Sequence, residues 1–304
     1  MRADTPSDGF TPNRVTLKPD MITCTVCNAG ARSLGEKNAF PLYSCMSCGH
    51  LFVWPIPESP LDIYSEDYFR GGESGFGYID YDRDKAPMAD TFRHYLKEIA
   101  RNGKAKGTML DVGAATGFFL DIARGEGWET YGIEPSRYAA EVARGKGLRV
   151  STGTVDNCDF PAGFFDVVTA WDVIEHMPKP LATLARIRDL LKPGGLLVIN
   201  TPDSGSLLAR VMGKRWHLVV PPEHLNLFHR RSLKITLEKI GYSVVRRTTV
   251  GKRFTLQYIF MTMAHWQKLA VWERAAAHLQ KRRMGSLGLP INLHDNMFVI
   301  ARKS

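Results

Sequence analysis

Two sets of residues in this 304-residue chain carry chemistry in their types and spacing. Four of its five cysteines form the pairs Cys24-x-x-Cys27 and Cys45-x-x-Cys48, with 17 residues between them. Each pair can put two thiolates on one tight turn, and two such turns complete a tetrahedron. The pattern therefore reads as a closed, structural zinc site with Cys24, Cys27, Cys45 and Cys48 as ligands. Gly49 suits the second turn, and Cys158 stands alone. A module this small has little core of its own, so bound metal would supply much of its folding free energy.

The second set begins at Met109-Leu110-Asp111-Val112-Gly113-Ala114-Ala115-Thr116-Gly117-Phe118-Phe119, where an apolar strand runs through small residues into a helix. Gly113 and Gly117 allow backbone angles, and a close approach of ligand, that a side chain would block. Seventeen residues past Gly117 stands Glu134, at the end of the next apolar run, where a carboxylate can accept the two ribose hydroxyls of an adenosine. The loop lacks the GxGxxG spacing that presents amides to a pyrophosphate. Asp111 would repel phosphate but suits a cationic sulfonium or amino group.

Two histidines are candidates for a general base, since imidazole titrates near neutrality. His176 lies in Val173-Ile174-Glu175-His176-Met177-Pro178, and His224 in Val220-Pro221-Pro222-Glu223-His224-Leu225-Asn226. Both follow apolar runs, on the side of a parallel sheet where an acceptor would enter.

The elements that position these residues alternate between strand and helix. The patterns predict strands over Thr108–Val112, Glu129–Ile133, Arg149–Thr152, Phe165–Trp171 and Leu196–Thr201, with helices near Phe118–Gly125, Ser136–Lys146 and Pro180–Leu191. Short connections and crossover helices imply parallel pairing. Before this core a helix is expected over Met88–Arg101. After it come a helix at Ser232–Ile240 and strands at Tyr242–Val250 and Met297–Ala301. An insertion at 251–292 is read as helical from Phe254 to Arg283. The fold class is α/β: a Rossmann-like, seven-stranded, mostly parallel sheet with helices on both faces, plus a small zinc ribbon. The division expected is a tail over 1–20, a ribbon over 21–60, a linking segment over 61–107 and the main domain over 108–304.

Composition sets the outer bounds. Hydrophobic residues make up 44% of the chain and charged residues 23%, values that suit a globular protein. The N-terminal stretch has no apolar signal region, and Leu256–Trp266 is too short to span a bilayer. A cytoplasmic protein is the expectation. The net charge of +9 is uneven: residues 204–304 hold 18 basic side chains against 4 acidic. Such a surface favours an anionic partner, and an anionic small-molecule acceptor, a nucleic acid and a peripheral membrane contact all remain open. The late helical stretch could pack on its own domain, or serve as a lid, a dimer surface or a membrane contact; the oligomeric state is unknown.

In its motifs the chain resembles the class I S-adenosylmethionine-dependent methyltransferases. The family's D-V-G-x-G-x-G loop corresponds to Asp111 through Gly117, with Ala115 where the family has its middle glycine; Phe118 follows. The resemblance implies cofactor contacts at Asp111, Gly113, Ala115, Gly117 and Phe118. It implies ribose binding by Glu134 and Pro135, adenine contacts at Thr154 and Val155, and further contacts at Trp171 and Asp172. Leu191-Lys192-Pro193-Gly194-Gly195 matches the family's entry to strand five. The Asn/Asp-Pro-Pro-Tyr/Phe segment of many amine methyltransferases is absent; Ala170-Trp171-Asp172-Val173 stands there. Oxygen or carbon of a small molecule, for instance a saccharide in nucleotide- or lipid-linked form, is the acceptor this favours. The Pro-Glu-His run resembles that of bacterial sugar methyltransferases, which also carry an N-terminal zinc module. By that resemblance Glu223 and His224 are base and orienting partner in either order, with His176 a further candidate, and Tyr64, Tyr68, Phe69 and Tyr78 could cover the acceptor. An RNA methyltransferase, gripping RNA with ribbon and basic surface, is the alternative enzyme reading; a catalytically inactive binding protein of the same fold is another.

Overall fold

The computed structural model describes residues 22–58, 60, 66–70, 81–256, 260, 270–281 and 288–304. The expected tail and the aromatic residues Tyr64 and Tyr78 lie outside them.

The first elements belong to the cysteine module. Strands β1 (Ala31–Lys37), β2 (Phe40–Cys45) and β3 (Leu51–Val53) form an antiparallel meander. Its edge is completed by a strand from far along the chain, β9 (Asn226–Leu227), so the small sheet runs β1-β2-β3-β9. Short helices α1 (Glu66–Arg70) and α2 (Tyr81–Lys85) lead to α3 (Ala89–Arg101).

The main sheet then builds outward from β4 (Thr108–Val112). Helix α4 (Phe118–Gly125) leads to β5 (Glu129–Glu134), and α5 (Arg137–Gly145) to β6 (Arg149–Thr152). The chain next crosses to the other side of β4 as β7 (Phe165–Trp171), α6 (Pro180–Leu190) and β8 (Leu191–Pro202). After α7 (Leu207–Met212) and β9, helix α8 (Arg230–Lys239) precedes β10 (Tyr242–Thr248). The final strand, β13 (Asn296–Lys303), slips antiparallel between β8 and β10. The sheet order is β10-β13-β8-β7-β4-β5-β6, parallel from β8 to β6. The reversal of direction at β4 opens a crevice above the carboxyl ends of β4, β5 and β7, the place where such sheets bind ligands.

Strands covered on both faces should be apolar throughout, and alternate residues here feed two cores. Met109, Val167, Val198, Phe298 and Ile300 pack with Phe92, Tyr95, Ile99 and Phe119 of α3 and α4. Leu110, Val168, Leu197, Val299 and Ala301 face the other way, towards Leu184, Ile187, Leu233 and Leu237 of α6 and α8. Cys24, Val26, Tyr43 and Phe52 of the cysteine module continue this second core.

The insertion differs from its expected form. Lys252–Thr255 (β11) and Gly288–Ile291 (β12) pair as an antiparallel ribbon, and helix α9 occupies Ala270–Lys281. A helix expected from Phe254 therefore gives way, at its start, to a strand: pairing with β12 satisfies the backbone of 252–255 across the base of the insertion, a non-local partner that periodicity does not reveal. Residues 257–259, 261–269 and 282–283 of that expectation lie outside the described set. Among the described residues, no helix is long and apolar enough to cross a membrane.

Candidate active site and cysteine cluster

The crevice holds a cleft of about 320 Å³, lined among others by Gly113, Ala115, Glu134, Pro135, Thr154, Val155, Trp171, Asp172 and His176. Eight of the eleven cofactor-site residues singled out in the sequence thus meet on its walls.

Glu134 forms the floor. It is 4% exposed. Both carboxylate oxygens are already held by amides: Ala115 N–H donates to Oε2 at 2.8 Å and Ser136 N–H to Oε1 at 2.9 Å. Burial pushes its pKa up to about 7, against the downward pull of the Ser136 and Ala115 amides. A carboxylate has four lone-pair sites, so capacity is left for hydroxyl donors from a ligand. The loop that reaches it is strained. Ala115 adopts φ 48°, a left-handed conformation that costs a non-glycine residue roughly 1 kcal/mol. Its hydrogen bond to Glu134 and its packing beside Phe69 and Ala139 hold it there.

Three of the expected contacts sit elsewhere. Asp111, 2% exposed, accepts from Thr169 Oγ1 at 2.6 Å and borders, with Phe118, an adjoining void of about 30 Å³ that shares Gly113, Trp171 and Asp172 with the cleft. Burial, with the charge of Glu134 acting the same way, raises the Asp111 pKa well above the usual carboxylate range. Gly117 lines neither space. At φ 80°, a Cβ there would lie 2.3 Å from Leu148 Cδ1 and 3.1 Å from Ala143 Cβ. Its bare backbone lets the start of α4 pack against α5 and Leu148.

Of the three acid-base candidates, His176 reaches the cleft. Its Nδ1 lies 2.8 Å from the Glu223 carbonyl, which can only accept, an arrangement that suits a proton on Nδ1, and the Asp172 carbonyl also bonds the ring. Burial lowers the His176 pKa, and the charge and carbonyl of Glu223 and those of Asp172 oppose this without overcoming it. His224 stands behind it, edge-on with ring centroids 4.8 Å apart, and its Nδ1 donates to the Leu218 carbonyl at 2.6 Å. The Glu223 carboxylate accepts a hydrogen bond from the Tyr68 hydroxyl at 2.8 Å.

The roof comes from elements whose role sequence reading left open. Tyr68 and Phe69 of α1 and Tyr81 and Lys85 of α2 line the cleft. Asp82 fastens α2 to the loop below: Thr116 Oγ1 donates to it at 2.5 Å and Lys146 Nζ pairs with it, while Lys146 also donates to the Thr116 carbonyl at 2.8 Å. The clustering of aromatic side chains before β4 was the visible signal; Asp82 and Lys146 give none, being ordinary charged residues 64 positions apart.

The cysteines converge as their spacing predicts. The Sγ atoms of Cys24, Cys27, Cys45 and Cys48 all lie within 4.8 Å of one another, with Cys24–Cys48 at 3.6 Å and Cys27–Cys45 at 3.4 Å. Disulfide sulfurs would be about 2.05 Å apart, whereas zinc–sulfur bonds of about 2.3 Å give tetrahedral edges of about 3.8 Å. Each knuckle closes on a left-handed residue four places past its first cysteine, Asn28 (φ 62°) and Gly49 (φ 74°). Burial pushes the Cys24 thiol up to about 11. Cys45, which burial also pushes upward, is carried down to about 7 by the Cys48 and Ser47 amides and the neighbouring thiols. Four thiols so placed fit a divalent soft cation.

With crevice, acidic strand end and sheet order in place, the comparisons give the class. The family model described as a methyltransferase domain matches residues 84–247. The chain belongs to this family, that of the class I S-adenosylmethionine-dependent methyltransferases. It is 34% identical over 123 residues to a ubiquinone biosynthesis O-methyltransferase of Thiobacillus denitrificans, covering 38% of this chain and 53% of that protein. A protein of the same name from Vibrio cholerae is 30% identical over 139 residues, covering 43% and 56%. The chain therefore spans about half the length of the curated relatives it matches. In fold it is similar to the YcgJ protein of Bacillus subtilis, with a TM-score of 0.50 at 17% identity over 69% of this chain and 98% of that one.

Proposed function

We propose that this protein methylates a hydroxyl oxygen of a small molecule, with His176 as the base. The observation that carries this is a single cleft with Glu134 at one end and His176 on its wall. Bound S-adenosylmethionine supplies an activated methyl group on a sulfonium. Gly113, Ala115 and Glu134 would hold its nucleoside, with apolar Ile133, Val155 and Met177 flanking the base.

The protein's own task is alignment and proton removal. His176 would take the proton of the acceptor hydroxyl as that oxygen accepts the methyl group the cofactor would supply. The Glu223 carbonyl lies against Nδ1, which favours Nε2 as the basic nitrogen. Burial keeps the ring neutral and ready to accept a proton at pH 7. Glu223 and His224 position this base rather than replace it. A hydroxyl acceptor, phenolic or saccharide, is supported by the names of the O-methyltransferase relatives and by the absence of the amine-binding Pro-Pro segment. We also read the four-thiolate cluster as a structural zinc site, because four thiolates leave no open coordination position.

The test is label transfer from radioactive S-adenosylmethionine to a panel of phenols, catechols, sugars and RNA. Label should appear on a hydroxyl compound, and His176→Gln should lower its turnover roughly 10²- to 10⁴-fold while cofactor affinity changes little. Labelled RNA with no labelled small molecule would overturn the reading.

A further inference from the structure

The loop bearing His176 is gripped from both sides by one short strip of chain. Leu225 N–H and Asn226 N–H both donate to the Glu175 carbonyl, at 2.8 and 2.9 Å. The Asn226 side-chain Nδ2 donates to the Met177 carbonyl at 2.7 Å. The Glu223 carbonyl takes the His176 ring itself. Three consecutive residues, 175 to 177, thus hang on residues 223–226.

That strip is in turn held by the cysteine module. Val53 N–H donates to the Leu225 carbonyl at 2.9 Å, and Phe52 pairs with Asn226 across the β3–β9 ladder. His50, two residues past Cys48 and fully buried, places Nε2 3.1 Å from Asn226 Oδ1. Because the Met177 carbonyl can only accept, the Asn226 amide orientation is fixed: NH₂ to Met177, oxygen to His50. His50 is therefore the Nε2–H tautomer. Its ring stacks on Phe52 at 5.7 Å and tilts against Phe228 at 4.8 Å. The side chain of Asn226, 4% exposed, bonds the module and the His176 loop at once.

We propose that Asn226 is a positioning residue for His176, transmitting the placement of the cysteine module through His50 to the base of the cleft. The proposal rests on the reading of His176 given above. A valine, serine or alanine at 226 could still complete β9 through its backbone. What would be lost is the clamp on the Met177 carbonyl and hence the fixed approach of the His176 ring to Glu223. The charged and titratable groups around that ring are Glu223, Asp172, Glu175 and His224, and none of them is altered by the change.

The experiment is nitrogen-resolved NMR of the histidine rings on the full chain, with the His176 signals assigned by their loss in His176→Gln. In the unaltered protein His176 should show one tautomer, protonated at Nδ1. In Asn226→Ala the ring should show mixed tautomers and a titration midpoint moved towards that of free histidine, by about half a pH unit or more. His50→Phe keeps the stacked ring but removes the donor, and should shift His176 less in the same direction. The double variant should shift it no further than Asn226→Ala alone, since the two act in series. S-adenosylmethionine affinity by calorimetry should stay within about two-fold, because Glu134 and its loop are untouched. An unchanged His176 in folded Asn226→Ala overturns the proposal. If that variant does not fold, an unchanged His176 in His50→Phe overturns it equally, as do shifts that simply add. Failure of the unaltered protein to bind the cofactor would count against the methyltransferase reading alone.

Discussion

The hydroxyl of Tyr68 donates to the carboxylate of Glu223 at 2.8 Å, across 155 positions of sequence. It ties the roof of the cleft, α1, to the strip that anchors His176. A half-buried hydrogen bond to a charged acceptor is worth about 1.5–3 kcal/mol, enough to govern how long the roof stays closed.

Tyr68→Phe keeps the ring against Phe69, which it meets edge-on at 5.2 Å, and removes the bond alone. Stopped-flow measurement should find cofactor release faster by about ten-fold or more, the low end of that range in rate terms. Equal release rates would mean that α1 is held by packing alone.

The cysteine cluster predicts a metal-dependent module. Elemental analysis should find one zinc per chain. Chelation should expose β1–β3 to hydrogen exchange before it affects β4–β8, since the module's local core draws on few side chains. Zinc sites of this kind supply roughly 10–16 kcal/mol in isolated peptides. Less is needed here, because β9 and the shared core around Phe52 and Phe228 already hold one edge. A metal-free protein with β1–β3 fully protected would remove zinc from the account.

Much of this architecture is legible in local pattern. Strands β4 and β7 begin and end where the apolar runs place them, because a strand buried on both faces must be apolar along its length; the edge strand β6, with Val150 alone buried, also keeps its expected bounds. The cysteine spacing likewise brings four sulfurs together. What the sequence hides is long-range and two-sided. β9 is two residues long and exists because β3 lies beside it. Asp82 and Lys146 are unremarkable until the fold sets them above Thr116. In sequence the Pro-Glu-His run points first to His224 as base and only then to His176; the tertiary placement turns His176 towards the cleft and His224 towards the Leu218 carbonyl.

Gly117 offers a test of how a motif glycine is used. Alanine there meets Leu148 at 2.3 Å in a backbone conformation of φ 80°. Strain and overpacking together should cost about 2–4 kcal/mol of stability, read as a lower denaturant midpoint. Leu148→Ala should recover part of the loss in the Gly117→Ala background, since it removes the nearest clashing atom. No recovery would assign the glycine to backbone strain or to ligand approach instead.

Glu134 joins stability, proton binding and cofactor binding. Burial holds its folded pKa near 7, above the roughly 4.3 of an unfolded glutamate. With a raised pKa the native state binds the extra proton, so this group's contribution to stability is full below about pH 4 and is lost as pH rises through about 7. Hydroxyl donors act in the opposite sense, because they favour the ionised carboxylate. Binding of S-adenosylmethionine should therefore release part of a proton near pH 7, seen as a heat that changes with the ionisation enthalpy of the buffer. Affinity should weaken by up to about ten-fold per pH unit below 7, the limit for one coupled proton. Glu134→Gln removes the titrating group and should abolish both effects while weakening binding at pH 8 by about ten-fold or more. If the proton release persists in Glu134→Gln, the titrating group is Asp111, whose carboxyl is raised by the same burial, and Glu134 is not the ribose acceptor.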